Sequence, residues 1–156
     1  MFKIGIVENF HKDGIKLLEN HPNFEYEIID DVSKENLIKE LPKFDGLTLR
    51  VAKLGSDVLS KCQKLKVISR HGVGYDNVDT NHLKKNNITL LITATGNALA
   101  VAEHVMYMIL TLSKGITQYD EMVRNGQFRN EANKLLTFEL LNKEILIMGF
   151  GRIGKI

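Results

Sequence analysis

From Lys3 to Ile92, short apolar runs alternate with longer amphipathic stretches at nearly constant spacing. Lys3–Val7 (KIGIV), Phe24–Ile29 (FEYEII), Gly46–Arg50 (GLTLR), Leu65–Ser69 (LKVIS) and Ile88–Ile92 (ITLLI) have the length and the β-rich composition of strands. The segments between them read as helices. Lys12–Asn20 is closed by Pro22, and Lys34–Leu41 opens at the N-cap candidate Ser33 and closes at Pro42. Ser56 is the expected cap of a short helix through Cys62. Asp79 is the expected cap of a helix from Thr80 to Lys85, stopped by Asn86 and Asn87. Five strands separated by four helices predict an α/β fold, a parallel sheet with helices on both faces. Several strands are apolar throughout, as expected where both faces are covered.

The pattern changes after Asn97. Twelve of the fifteen residues from Ala98 to Leu112 are apolar, counting Tyr107. A helix apolar all round is expected to be buried on every side, by a second domain or a second subunit. Asn97 stands at its expected N-cap. A further helix, Thr117–Arg124, ends at Asn125-Gly126. Gln127–Leu141 reads as an irregular arm, and Lys143–Met148 as a sixth strand. That strand has no sheet of its own to join, and a lone strand is unstable in water.

Composition narrows the function classes. The chain has 156 residues, a net charge of +2 and 21 Lys and Arg spread along its length, so no nucleic-acid surface is expected. Cys62 is the one cysteine, which fits a reducing compartment. The apolar stretch near the N-terminus is too short for a signal-peptide core. Glu103 and His104 interrupt the most apolar segment and argue against a membrane span. A cytoplasmic protein without a bound metal is expected.

Ligands of open parallel sheets sit beyond the carboxyl ends of the strands. Those ends are Glu8-Asn9, Asp30-Asp31, Arg50-Val51-Ala52, Arg70 to Gly74, and Thr93 to Asn97. Arg50 and Arg70 carry positive charge, the HGVG turn offers backbone N–H groups, and Asn97 offers an amide at a helix N-terminus. Together they suit a small carboxylate. Plainer roles stand beside each. Gly72 and Gly74 serve a tight turn equally well. Arg70 is expected to pair with Asp76 or Asp79 in preference to a ligand. Glu103 and His104 point about 100° apart on a helix, so a hydrogen-bonded core pair is favoured over an acid/base couple.

The last motif is Gly149-Phe150-Gly151-Arg152-Ile153-Gly154, after an apolar run and before helix-compatible residues. This is the dinucleotide fingerprint. Gly149 makes the turn, Gly151 admits the pyrophosphate to the backbone, and Gly154 permits close packing of helix on strand.

Three stretches, Leu65–Asp79 (LKVISRHGVGYDNVD), Thr93–Lys114 (TATGNALAVAEHVMYMILTLSK) and Leu140–Lys155 (LLNKEILIMGFGRIGK), resemble successive signatures of the D-isomer-specific 2-hydroxyacid dehydrogenases, phosphoglycerate dehydrogenase included. The resemblance implies a flavodoxin-like substrate domain, a long crossing helix and an inserted Rossmann domain for NAD; NADP stays open, because the acidic position that decides lies beyond Ile156. It divides the chain into a substrate-binding part at 1–97, an interdomain helix and dimerisation arm at 98–140, and the first strand and turn of the Rossmann domain at 141–156. By matching motif, Val73 and Gly74 are expected to hold the substrate carboxylate, Arg50 to approach its distal end, and Asn97 to lie at the substrate cleft. Val73, Gly149, Gly151, Arg152, Ile153 and Gly154 are expected at the cofactor.

Three positions depart from the family pattern. Ala94 stands where proline is frequent and Asn142 where glycine is usual. Val51 stands where phosphoglycerate enzymes often have serine, which weakens that substrate assignment. The family's catalytic arginine, glutamate and histidine lie downstream of the fingerprint, so none is assigned here; His71, His82 and His104 sit in other motifs. The resemblance therefore implies the N-terminal half of an NAD-dependent oxidoreductase acting on a small anionic 2-hydroxy or 2-oxo acid, inactive by itself, and a homodimer. The alternative is a non-catalytic NAD-sensing or subunit-interaction module of the same fold.

Overall fold

The order of the strands is set by where each crossover goes. The computed structural model describes residues 1–156, which form two compact units, Met1–Gly96 and Asn97–Ile156. In the first unit β1 (Phe2–Val7), β2 (Phe24–Ile29), β3 (Gly46–Leu49), β4 (Val67–Arg70) and β5 (Thr89–Ile92) build one parallel sheet in the order β2-β1-β3-β4-β5. The first crossover runs to one side of β1 and the later ones to the other. Right-handed connections therefore place α1 (Lys12–Glu19) on one face and α2 (Lys34–Glu40), α3 (Ser56–Leu59) and α4 (Thr80–Lys85) on the opposite face. This is the expected flavodoxin-like arrangement. Tyr26 on β2 donates its hydroxyl to Glu19 of α1 at 2.7 Å, and α1 has no buried residue.

The core lies under α2, α3 and α4. Strand register puts Val7, Leu49 and Ile29 side by side on that face, with Leu47 and Ile68 one step along. Leu37, Leu41, Phe44, Leu54, Val58 and Leu59 close over them, and all are buried. Each such side chain contributes roughly 1.5–3 kcal/mol through removal from water. Gly5 shares the face, and a Cβ there would stand 2.7 Å from Leu47 and 2.8 Å from Phe44. Ser33 and Asp79 cap α2 and α4 as expected, accepting from the N–H groups of Asn36 and His82. Ser56 does not cap α3; Gly55 holds that position, and the helix ends at Leu59, short of Cys62.

The second unit begins with α5 (Ala98–Lys114), which breaks at Gly115, in the left-handed region with φ 58°, into α6 (Ile116–Arg124) at 62° to it. The arm is less irregular than expected, because Phe128–Glu131 forms a single turn, α7, continued by a 3-10 turn at Ala132–Lys134. The arm folds back on the end of α5. Phe138 N–H donates to Ser113 O at 2.9 Å, and Lys114 pairs with Glu139 at 2.6 Å. No single helix is long and apolar enough to cross a membrane.

Within this chain α5 buries only Ser113, while Leu112 is 77% exposed and Tyr107 57%, so the cover expected from a second domain or subunit is not supplied by the short arm. Two expectations fail in this unit. Glu103 and His104 are not a core pair; both are exposed, and His104 stacks tilted against Tyr107. Lys143–Met148 is not a strand. It is exposed along its length and has no strand partner, so its N–H and C=O groups have no ladder to join.

Candidate active site

The carboxyl ends of β3 and β4 are neighbours because Leu49 pairs with Arg70 across the sheet. One residue on, His71 N–H donates to Leu49 O at 2.7 Å, so the turn after β4 starts beside Arg50. Asn77 then ties the two turns together. Its side-chain amide donates to Ala52 O at 2.8 Å and to Arg50 O at 3.3 Å. Leu54 and Val78 form a parallel bridge below. From the β1 side, Glu8 accepts the N–H groups of Val51 and Ala52 at 2.7 and 2.8 Å, and Arg50 reaches Asn9 O at 3.4 Å.

The HGVG turn is built on Gly72. Its φ of +145° belongs to glycine, and a Cβ there would overlap the Arg70 guanidinium folded across it. Gly72 N–H donates to Thr93 Oγ1 at 2.8 Å, and Thr93 N–H returns a bond to Gly72 O at 3.0 Å. The next two amides, on Val73 and Gly74, donate to no protein acceptor. Successive free N–H groups in a turn form an anion-binding concavity. Arg50 is exposed beside it.

Arg70 does not pair with Asp76 or Asp79. Asp79 is used as the α4 cap, and Arg70 Nη1 donates to His71 O at 3.0 Å while its Nε is buried without a partner. The two arginines and the two free amides meet at one edge, which they share with the Glu8 carboxylate and with Asp76, next to Gly74. Sequence reasoning missed the Glu8 and Asn77 contacts, which join residues far apart in the chain. Phe10, its ring tilted against His71 with ring centres 5.2 Å apart, was missed as well.

The remaining site candidates belong to the second unit. Asn97 stands at the N-cap position of α5, but its side chain makes no capping bond there, leaving its amide uncommitted. In the glycine motif, Gly149 has φ +104°, Gly151 has open space where a side chain would stand, and a Cβ on Gly154 would overlap the Gly149 carbonyl. Gly149 and Gly154 need glycine here, but the strand before this turn and the helix after it, which a dinucleotide turn joins, are not formed. Residues 151–155 form turns and no helix, so the dipole of a helix N-terminus does not act there.

The sequence profile described as "D-isomer specific 2-hydroxyacid dehydrogenase, catalytic domain" matches residues 4–145. The chain belongs to this family. It is similar to D-3-phosphoglycerate dehydrogenase of Archaeoglobus fulgidus, 31% identical over 97% of this chain and 28% of that protein. The enzyme of the same name from Sus scrofa is 40% identical over 80% of this chain and 23% of its own length. Among solved structures, the NAD-dependent formate dehydrogenase of Staphylococcus aureus in complex with NAD matches with a TM-score of 0.82 at 28% identity, over 98% of this chain and 51% of that one. This 2-hydroxyacid dehydrogenase chain thus spans under a third of those two curated relatives and about half of that solved structure.

Proposed function

We propose that the chain is the substrate-binding part of an NAD-dependent oxidoreductase that acts on small D-2-hydroxy acids of the phosphoglycerate, glycerate and hydroxypyruvate type. The observation that carries this reading is the junction of β3 and β4, where one exposed arginine and two free backbone amides share an edge. Val73 and Gly74 N–H bind the substrate carboxylate, and the Arg50 guanidinium takes the distal end of the acid. Asn97 supplies an amide to the same substrate. Gly149, Gly151, Arg152, Ile153 and Gly154 hold the pyrophosphate of NAD, with Val73 near the cofactor. NAD, when bound, supplies the acceptor for the hydride on C2. No proton-transferring residue is assigned within these 156 residues, so the chain alone turns nothing over.

Residues 1–97 serve as the substrate part, 98–140 as interdomain helix and dimerisation arm, and 141–156 as the opening of the dinucleotide-binding part of a cytoplasmic enzyme. The apolar α5 surface, with Leu99, Met106, Tyr107 and Leu112 each more than half exposed, supports a homodimer. It equally favours the second reading, a subunit-interaction module without catalysis. Titration calorimetry separates them. The enzyme reading expects millimolar binding of 3-phospho-D-glycerate or D-glycerate, weakened at least fivefold in Arg50→Gln, and NAD binding weaker than either. No heat from any 2-hydroxy acid overturns it, and micromolar NAD affinity overturns the expectation that this chain binds NAD only weakly.

A further inference from the structure

We propose that Glu8 is a positioning residue of the anion site. Its carboxylate fixes the turn that presents Arg50 and Val51 to the substrate. The inference rests on the substrate reading of this edge and goes beyond it.

Glu8 has φ +67°. Residues with a Cβ adopt that conformation rarely, and Gly, Asn or Asp is the ordinary occupant. Glutamate has no short polar group to ease it. Strained residues of this kind persist where their surroundings over-determine them, and they cluster at functional sites. What holds Glu8 is on view: a single oxygen, Oε2, accepts two consecutive N–H groups, Val51 at 2.7 Å and Ala52 at 2.8 Å, across 43 and 44 residues of sequence. The left-handed backbone sends the side chain from the end of β1 over to the end of β3, its neighbour in the sheet.

The turn is gripped from two sides. Glu8 takes its N–H groups, and Asn77 donates to its carbonyls at Arg50 and Ala52. Asn9 O meets the Arg50 guanidinium itself. Between these anchors Val51 keeps a fixed backbone and a side chain that is 72% exposed. Ordering a turn before the ligand arrives removes that entropy cost from binding. Electrostatics sharpens the argument. A carboxylate beside an anion site repels the ligand, so simple charge optimisation omits it. Glu8 belongs there because both bonds need a long acceptor at this position.

The test uses the whole chain, isotope-labelled, with 3-phospho-D-glycerate as probe. Glu8→Gly relieves the backbone and removes the acceptor. Amide exchange at Val51 and Ala52 then accelerates at least tenfold, probe affinity falls at least tenfold, and protection at Ile6, Leu47 and Ile68 is unchanged. Glu8→Gln keeps one carbonyl oxygen for both N–H groups and drops the charge. It restores affinity to within threefold of the parent chain or better. Should Glu8→Gly lose sheet protection, Glu8→Asn, which tolerates the same φ and is one methylene too short, repeats the comparison. Unchanged exchange at Val51 and Ala52, or faster exchange with unchanged affinity, overturns the positioning role and leaves the substrate reading standing. A parent chain that binds no probe overturns both, and its exchange data still report whether Glu8 holds the turn.

Discussion

Gly72→Ala is the sharpest perturbation of the anion site that leaves its ligand-binding groups in place. Two costs follow from the structure. The backbone at φ +145° lies where essentially only glycine is at ease, and a side chain forced there costs of order 1–3 kcal/mol. The new methyl also overlaps Arg70 Nη1, the far end of a flexible side chain. Arg70 swings away and gives up its 3.0 Å bond to His71 O, worth about 1 kcal/mol at this partly exposed site. The sum is about 2–4 kcal/mol. In a unit of this size that lowers the melting temperature by at least about 8 °C. Thermal melting followed by circular dichroism measures it, with the double variant Arg70→Ala, Gly72→Ala as the control. The double variant removes the overlap and keeps the backbone strain, so its further loss over Arg70→Ala alone is the backbone share. A Gly72→Ala chain that melts within 2 °C of the parent refutes this account of the HGVG turn.

Four further outcomes are expected. Phe44→Ala, at a fully buried ring in the core, destabilises by about 3–5 kcal/mol in urea titration, by lost transfer energy and the cavity left behind. Lys34 beside Asp57 holds that carboxyl below its ordinary value of 3.8, so the stability it gives is present above that pH and drains as pH falls below it. Acid titration of Lys34→Met should show a smaller loss below pH 3.8 than the parent chain. Burial pushes the Cys62 thiol up to about 11, so a thiol reagent at pH 8 reacts slowly with the folded chain and rapidly in denaturant. Replacing Met106 and Leu112 together by lysine should abolish concentration-dependent association in sedimentation, because both are more than half exposed on α5.

The sheet was legible because its signals are local. Strand runs such as FEYEII and caps such as Ser33 and Asp79 act over a few residues, and their positions hold to within one or two residues at most ends. The sixth strand failed for a non-local reason. KEILIM has strand composition, but a strand exists only through a partner, and none pairs with it here. The site was half legible. Arg50, Val73 and Gly74 were reachable because the carboxyl edge of a parallel sheet is a fixed place in the fold. Glu8 stands at the same edge, but its contacts were not reachable, since a glutamate that accepts backbone bonds from 43 residues away leaves no pattern nearby. Arg70 was misread as an ion-pair partner because sequence proximity to Asp76 and Asp79 says nothing of direction. Its side chain folds over Gly72, and Asp79 is spent on α4.

Chemical-shift mapping of the labelled chain with D-glycerate and L-glycerate side by side tests the central claim most directly. The account predicts that the D acid shifts the amides of Val73 and Gly74 and the guanidinium of Arg50 together, on one saturation curve, and that the L acid shifts them less. Shifts that scatter over the first unit, or that spare Val73 and Gly74, contradict it.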